Sequence, residues 1–137
     1  MSVKLAITSD DFIRDLRRLP DNLSSEGGDM VVAQGTAAKE DIQGLYAAAS
    51  VTGNLEKHVS LSVVKSQFGV IAEVKSTARH AFIYENGTQI RKNKAGKNLG
   101  AMPPAHVFIP RMQRARRLLT EDLTGLLERA GLVVRRV

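Results

Sequence analysis

Residues 58–76 read HVSLSVVKSQFGVIAEVKS, and alternation of apolar and polar side chains runs through them twice. Val59, Leu61 and Val63 fall on one side of an extended chain, with Ser60 and Ser62 on the other. After a turn near 66–69, Val70, Ala72 and Val74 alternate in the same way with Ile71, Glu73 and Lys75. The pattern predicts an antiparallel hairpin over about residues 58–76. Two strands alone are marginal in water, so this hairpin needs a helix or a neighbouring chain to cover it.

Both flanks of the hairpin are helical in pattern. Upstream, Met30, Val31, Gln34, Ala38, Ile42, Leu45 and Ala49 recur at helical spacing. Gly35 and Gly44 weaken that helix by roughly 1 kcal/mol each relative to Ala, and its small-residue face lets another helix approach closely. The preceding DNLSSEGGD, residues 21–29, fits a loop or the start of the same helix. Earlier still, Phe12, Ile13, Leu16 and Leu19 predict a helix over 9–19, ended by Pro20. Downstream, Phe108, Met112, Ala115, Leu119, Leu123, Leu126 and Ala130 form a continuous apolar stripe. Pro110 suits the first turn of that helix, and Gly131 its stop.

Between hairpin and last helix, residues 79–86 (RHAFIYEN) fit a short helix and a strand equally well. Residues 88–104 are rich in Lys, Asn and Gly and close on Pro103-Pro104, which predicts a long extended loop. Residues 131–137 read as an extra strand or as an arm toward a neighbour. The expected architecture is α+β in a single domain over 1–137. Long helices pack on a small antiparallel sheet, followed by a basic loop and a C-terminal amphipathic helix.

A chain of 137 residues, 43% hydrophobic and 25% charged, can build one core. Aromatics are only 4%, so aliphatic side chains and Met must fill it. The sequence has no cysteine, which excludes disulfide scaffolds, thiolate metal sites and cysteine nucleophiles. No apolar run is long enough for a transmembrane helix, and the N-terminus does not read as a signal peptide.

The net charge of +6 is distributed unevenly. Residues 1–78 carry 8 Lys/Arg and 10 Asp/Glu, whereas residues 79–137 carry 12 and 4. Arg91, Lys92, Lys94 and Lys97 concentrate positive charge in the loop, with Tyr84 the nearest aromatic. That is a poor stacking surface for single strands, but simple attraction to phosphate needs only the charge. A small basic nucleic-acid-binding protein is therefore one functional reading.

Catalytic patterns are missing from the sequence. His58, His80 and His106 lack metal-ligand spacing. The adjacent pairs Asp10-Asp11, Glu40-Asp41 and Glu121-Asp122 diverge around a helix rather than converge on a substrate. Gly96-Lys97 fails the phosphate-loop pattern, because Arg91 and Asn98 stand where Gly and Ser or Thr are required. No serine sits in a Gly-x-Ser-x-Gly elbow. A non-enzymatic protein without catalytic residue, metal or other cofactor is expected.

Three turn motifs follow one another in order: Thr52-Gly53-Asn54-Leu55, Glu85-Asn86-Gly87-Thr88, and Pro104-Ala105-His106-Val107-Phe108-Ile109-Pro110. This order resembles the tail-component family of long-tailed, siphovirus-type bacteriophages and prophages, also described as neck or tail-completion proteins. The resemblance covers roughly residues 30–130. Asn86 stands where that family usually has an aromatic, Glu56 where a basic residue is common, and Val107 where a proline precedes the Phe.

The resemblance implies a virion part at the head–tail junction, made in the host cytoplasm. It implies a homo-oligomeric ring, sixfold or twelvefold, around the DNA channel. The partners implied are neighbouring neck, connector and tail proteins, with non-specific contact to packaged DNA and no membrane. Thr52, Gly53, Leu55, Glu85, Gly87, Thr88, Pro104, Phe108 and Pro110 then maintain the fold. Thr52 and Thr88 bond local backbone, and Phe108 plugs the last helix into the core. Arg91, Lys92, Lys94 and Lys97 contact a neighbouring subunit or DNA.

Overall fold

The structure, a computed structural model, describes residues 2–6, 21–67, 69–132 and 134. The helix expected over 9–19 lies outside them, as does most of the arm expected at 131–137. Strand β1 is Ser2–Ala6, helix α1 Asp21–Ala49, helix α2 Asn54–Lys57, strand β2 Val59–Ser66 and strand β3 Gly69–Ser76. Helix α3 (Ala81–Asn86), strands β4 (Arg91–Lys92) and β5 (Asn98–Gly100), and helix α4 (Phe108–Arg129) follow. This is the α+β arrangement the sequence predicts, with three details added.

First, the sheet has a third strand. β3 is central, with β2 on one side and β1 on the other, both antiparallel to it. β1 was not legible because its partner β3 is far along the chain and its own pattern spans only five residues. Second, of the two readings of DNLSSEGGD, a loop or the start of the helix, the structure takes the latter, and the segment opens α1. Third, the loop expected over 88–104 contains a small sheet of its own, β4 paired with β5.

Alternation decides which face of the main sheet is covered. Val59, Ala72 and Val74 are buried, and Leu61 and Val70 partly so, under α1 and α4. Helix α4 approaches the small-residue face of α1 as expected: Ala38 packs in the cluster of Phe108, Met112 and Ala115, and a Cβ at Gly27 would lie 3.6 Å from Leu123 Cδ2. The sheet approaches that helix too: a Cβ at Gly35 would lie 2.9 Å from the Ala72 Cβ and 3.1 Å from Leu61 Cδ1, and one at Gly28 2.9 Å from Val70 Cγ2. Gly44 has nothing within 4 Å and contributes no contact.

Helices α1 and α4 run antiparallel, as their cross-pairs show. Arg129 pairs with Glu26 at 3.2 Å, Gln34 donates to Asp122 at 2.8 Å, and Arg111 pairs with Asp41 at 3.3 Å. The apolar stripe of α4 is buried at Phe108, Met112, Ala115, Leu119, Leu123 and Leu126, while Ala130 is exposed beyond the helix end. One cluster gathers Ala38, Ile42, Tyr46, Val59, Val74, Phe108, Met112 and Ala115; a second gathers Val31, Ala72, Leu119, Leu123 and Leu126. Among the described residues, no helix is long and apolar enough to cross a membrane.

Candidate functional site: a clasped basic hairpin

Segment 79–86 resolves as a helix for a reason its spacing allows: Ala81 and Glu85, one turn apart, are the two residues it buries. A buried carboxylate is costly unless hydrogen-bonded, and Glu85 is fully engaged. Its Oε1 accepts the Tyr46 hydroxyl at 2.7 Å and the Phe108 amide at 3.0 Å, and Oε2 accepts the Val107 amide at 2.8 Å. The two amides open α4, where unpaired N–H groups and the helix dipole favour a negative charge. Glu85 thus caps a helix 23 residues downstream.

Tyr46 is fully buried, and its ring meets that of Tyr84 edge to face at 5.6 Å. Burial holds the Tyr46 phenol protonated far above its ordinary range, and the hydrogen bond and charge of Glu85 push the same way.

The chain leaves α3 through Gly87, whose φ of +72° lies in the region that favours glycine. A Cβ there would lie 2.5 Å from the Met102 carbonyl oxygen and 2.8 Å from Pro104 N. This close approach lets residues 84–88 run beside 102–106. The Thr88 amide donates to the Met102 carbonyl at 2.9 Å, and the Met102 amide donates to Thr88 Oγ1 at 3.0 Å. The Ala105 amide donates to the Tyr84 carbonyl at 3.0 Å, and the His106 amide to the Glu85 carbonyl at 3.3 Å. His106, with φ +49°, makes the sharp turn into α4.

Beyond this clasp every residue from Gln89 to Ala101 is exposed. β4 and β5 pair with an irregularity between Arg91 and Lys92. Asn93 organises the tip: its Oδ1 accepts the amides of Ala95 at 3.0 Å and Lys97 at 2.8 Å. Its own amide donates to the Lys97 carbonyl at 3.0 Å. Arg91, Lys92, Lys94 and Lys97 form no ion pair among the described residues. Ile90 and Leu99 are also exposed, at 63% and 56%.

Of the residues singled out in the sequence, the structure brings Glu85, Gly87, Thr88, Pro104 and Phe108 together at the clasp. Pro110 is exposed in the first turn of α4. Leu55 reaches the same neighbourhood through the core cluster of Tyr46 and Phe108. Thr52 and Gly53 sit apart, in the turn between α1 and α2. There the side-chain acceptor is Ser50 rather than Thr52: the Gly53 amide donates to Ser50 Oγ at 2.9 Å.

Sequence reasoning missed Tyr46 and Asn93. Tyr46 stands four residues after Ile42 on the buried face of α1, so the spacing carried the signal. Among the described residues no group of three His, Cys, Asp or Glu could hold a metal. No protein-family model, no curated protein and no solved structure matches this chain.

Proposed function

We propose that the chain is a structural subunit that works by assembly: a virion protein of the head–tail junction, of the neck or tail-completion kind. Copies of it close into a ring around the DNA channel, and the hairpin over 88–102 is the projecting contact. The observation that carries this reading is the contrast within that hairpin. Its base is fastened to the body by backbone and Thr88 hydrogen bonds, while its tip leaves four cations and two large apolar side chains in water. Such a projection keeps its side chains exposed and suits a surface elsewhere. In a closed ring each subunit offers two different faces to its neighbours, and the first half, where 10 Asp/Glu outnumber 8 Lys/Arg, is a fitting counterpart for the tip.

The test is electron microscopy of lysates from the parent replicon with and without the gene. Separate filled heads and tails in the deletion, joined on complementation, are the expected outcome. A variant with Arg91, Lys92, Lys94 and Lys97 all changed to Glu should fold normally and fail to complement. Normal infectious particles from the deletion remove the proposal. The exposed cations also suit phosphate, and in that case affinity for DNA falls log-linearly as salt rises.

A further inference from the structure

β2 is an edge strand, and its open side can be read residue by residue. The Thr77 amide donates to the His58 carbonyl at 3.0 Å, so His58 and Thr77 form a hydrogen-bonded pair across the ladder. In an antiparallel ladder such pairs alternate with non-bonded ones. Ser60, Ser62, Val64 and Ser66 therefore bond to β3, and Val59, Leu61, Val63 and Lys65 turn their backbone groups outward. Gln43 corroborates this: its Nε2 donates to the Val59 carbonyl at 3.3 Å, on the outward side. Beyond Val59, no strand among the described residues pairs with that edge. Exposed apolar edges are normally protected by charge, proline or a covering element. Here Val63 and Val64 are 37% and 56% exposed, and Lys65 is the one charge on the strand.

We propose that this edge pairs with the same edge of a second copy of the chain, antiparallel and centred on Val63, which joins two three-stranded sheets into one. The backbone pattern favours this occupant because it is self-complementary. Centred on Val63, the pairing sets Val63 opposite its own counterpart and Leu61 opposite the Lys65 position of the other copy. Every outward group of Leu61, Val63 and Lys65 is then used, since each opposed pair exchanges two hydrogen bonds. Centring on Leu61 engages Val59, whose carbonyl Gln43 already occupies, and centring on Lys65 opposes like charges. The contact is isologous and separate from the hairpin tip, so it stands or falls independently of the ring.

The sequence has no cysteine, which makes a clean test available. The full-length protein should sediment as a dimer or a multiple of one. Val63→Pro removes an outward amide while leaving the β3 ladder intact, as edge positions tolerate. It should weaken self-association about tenfold or more with an unchanged circular dichroism spectrum. Val63→Cys should be joined into a dimer by a short thiol-specific bifunctional cross-linker, because an opposed hydrogen-bonded pair has Cα atoms about 5.5 Å apart. Val51→Cys, fully exposed in the turn after α1, should not. A monomer at all concentrations, an unchanged assembly for Val63→Pro, or equal cross-linking of the two cysteine variants overturns the proposal. If Val63→Pro does not fold, the cysteine pair decides.

Discussion

Glu85 and Arg91 are near neighbours in sequence and lie at opposite extremes of solvation. Glu85 is 4% exposed and accepts hydrogen bonds from a phenol and two helix amides. Arg91 and the lysines after it are in water with no ionic partner among the described residues. A buried charge with both oxygens hydrogen-bonded organises the fold around itself. Exposed charges on a supported hairpin contribute little to folding and are available to a partner. The difference separates a charge that maintains the fold from charges that folding does not need, within one short stretch of chain.

Breaking the buried side of this comparison gives the largest effect. Glu85→Ala orphans the Tyr46 hydroxyl and two amides of α4, and should lower stability by about 3 kcal/mol or more. A urea midpoint equal to that of the parent would show that the clasp is not structural. Gly87→Ala places a Cβ against the Met102 carbonyl at a left-handed φ, and should cost about 2 kcal/mol or more. Faster amide exchange at Thr88 and Met102 is its signature; unchanged protection there counts against the close approach.

Tyr46→Phe is milder, at about 1–1.5 kcal/mol, since Glu85 keeps both amides. It also sharpens the comparison through pH. The folded phenol ionises at higher pH than the unfolded one, so the unfolded chain binds fewer protons once pH exceeds about 10. Stability from Tyr46 is present below that pH and is lost as pH rises above it. The parent should therefore lose stability more steeply than Tyr46→Phe over that alkaline range, and parallel slopes would refute the account. Smallest of all, reversing Arg91, Lys92, Lys94 and Lys97 together should move stability by less than about 0.5 kcal/mol. A large drop in melting temperature would mean that the tip supports the fold after all.

The parts of this fold that were legible in the sequence are those with long local periods. The α4 stripe from Phe108 to Leu126 and the hairpin alternation from Val59 to Val74 each repeat often enough to specify both element and face. The parts that were not legible depend on distant partners. β1 requires β3, the glycine contacts of α1 require Ala72 and Val70, and Glu85 requires amides beyond the basic loop. Glu85 and Phe108 were identifiable as motif residues without any sign that they bond each other. The basic cluster was visible as composition, but its hairpin form depends on Asn93, a lone turn residue among several candidates.

The paired hydrogen bonds of Thr88 and Met102 have a consequence for how such a protein can diversify. They close the excursion at its neck, so the core meets the same two strands of backbone whatever lies between. Loop closure grows costly only slowly, by about 0.6 kcal/mol for each doubling of length. The tip can therefore be lengthened, shortened or recharged at small thermodynamic cost, without redesigning the chassis that carries it.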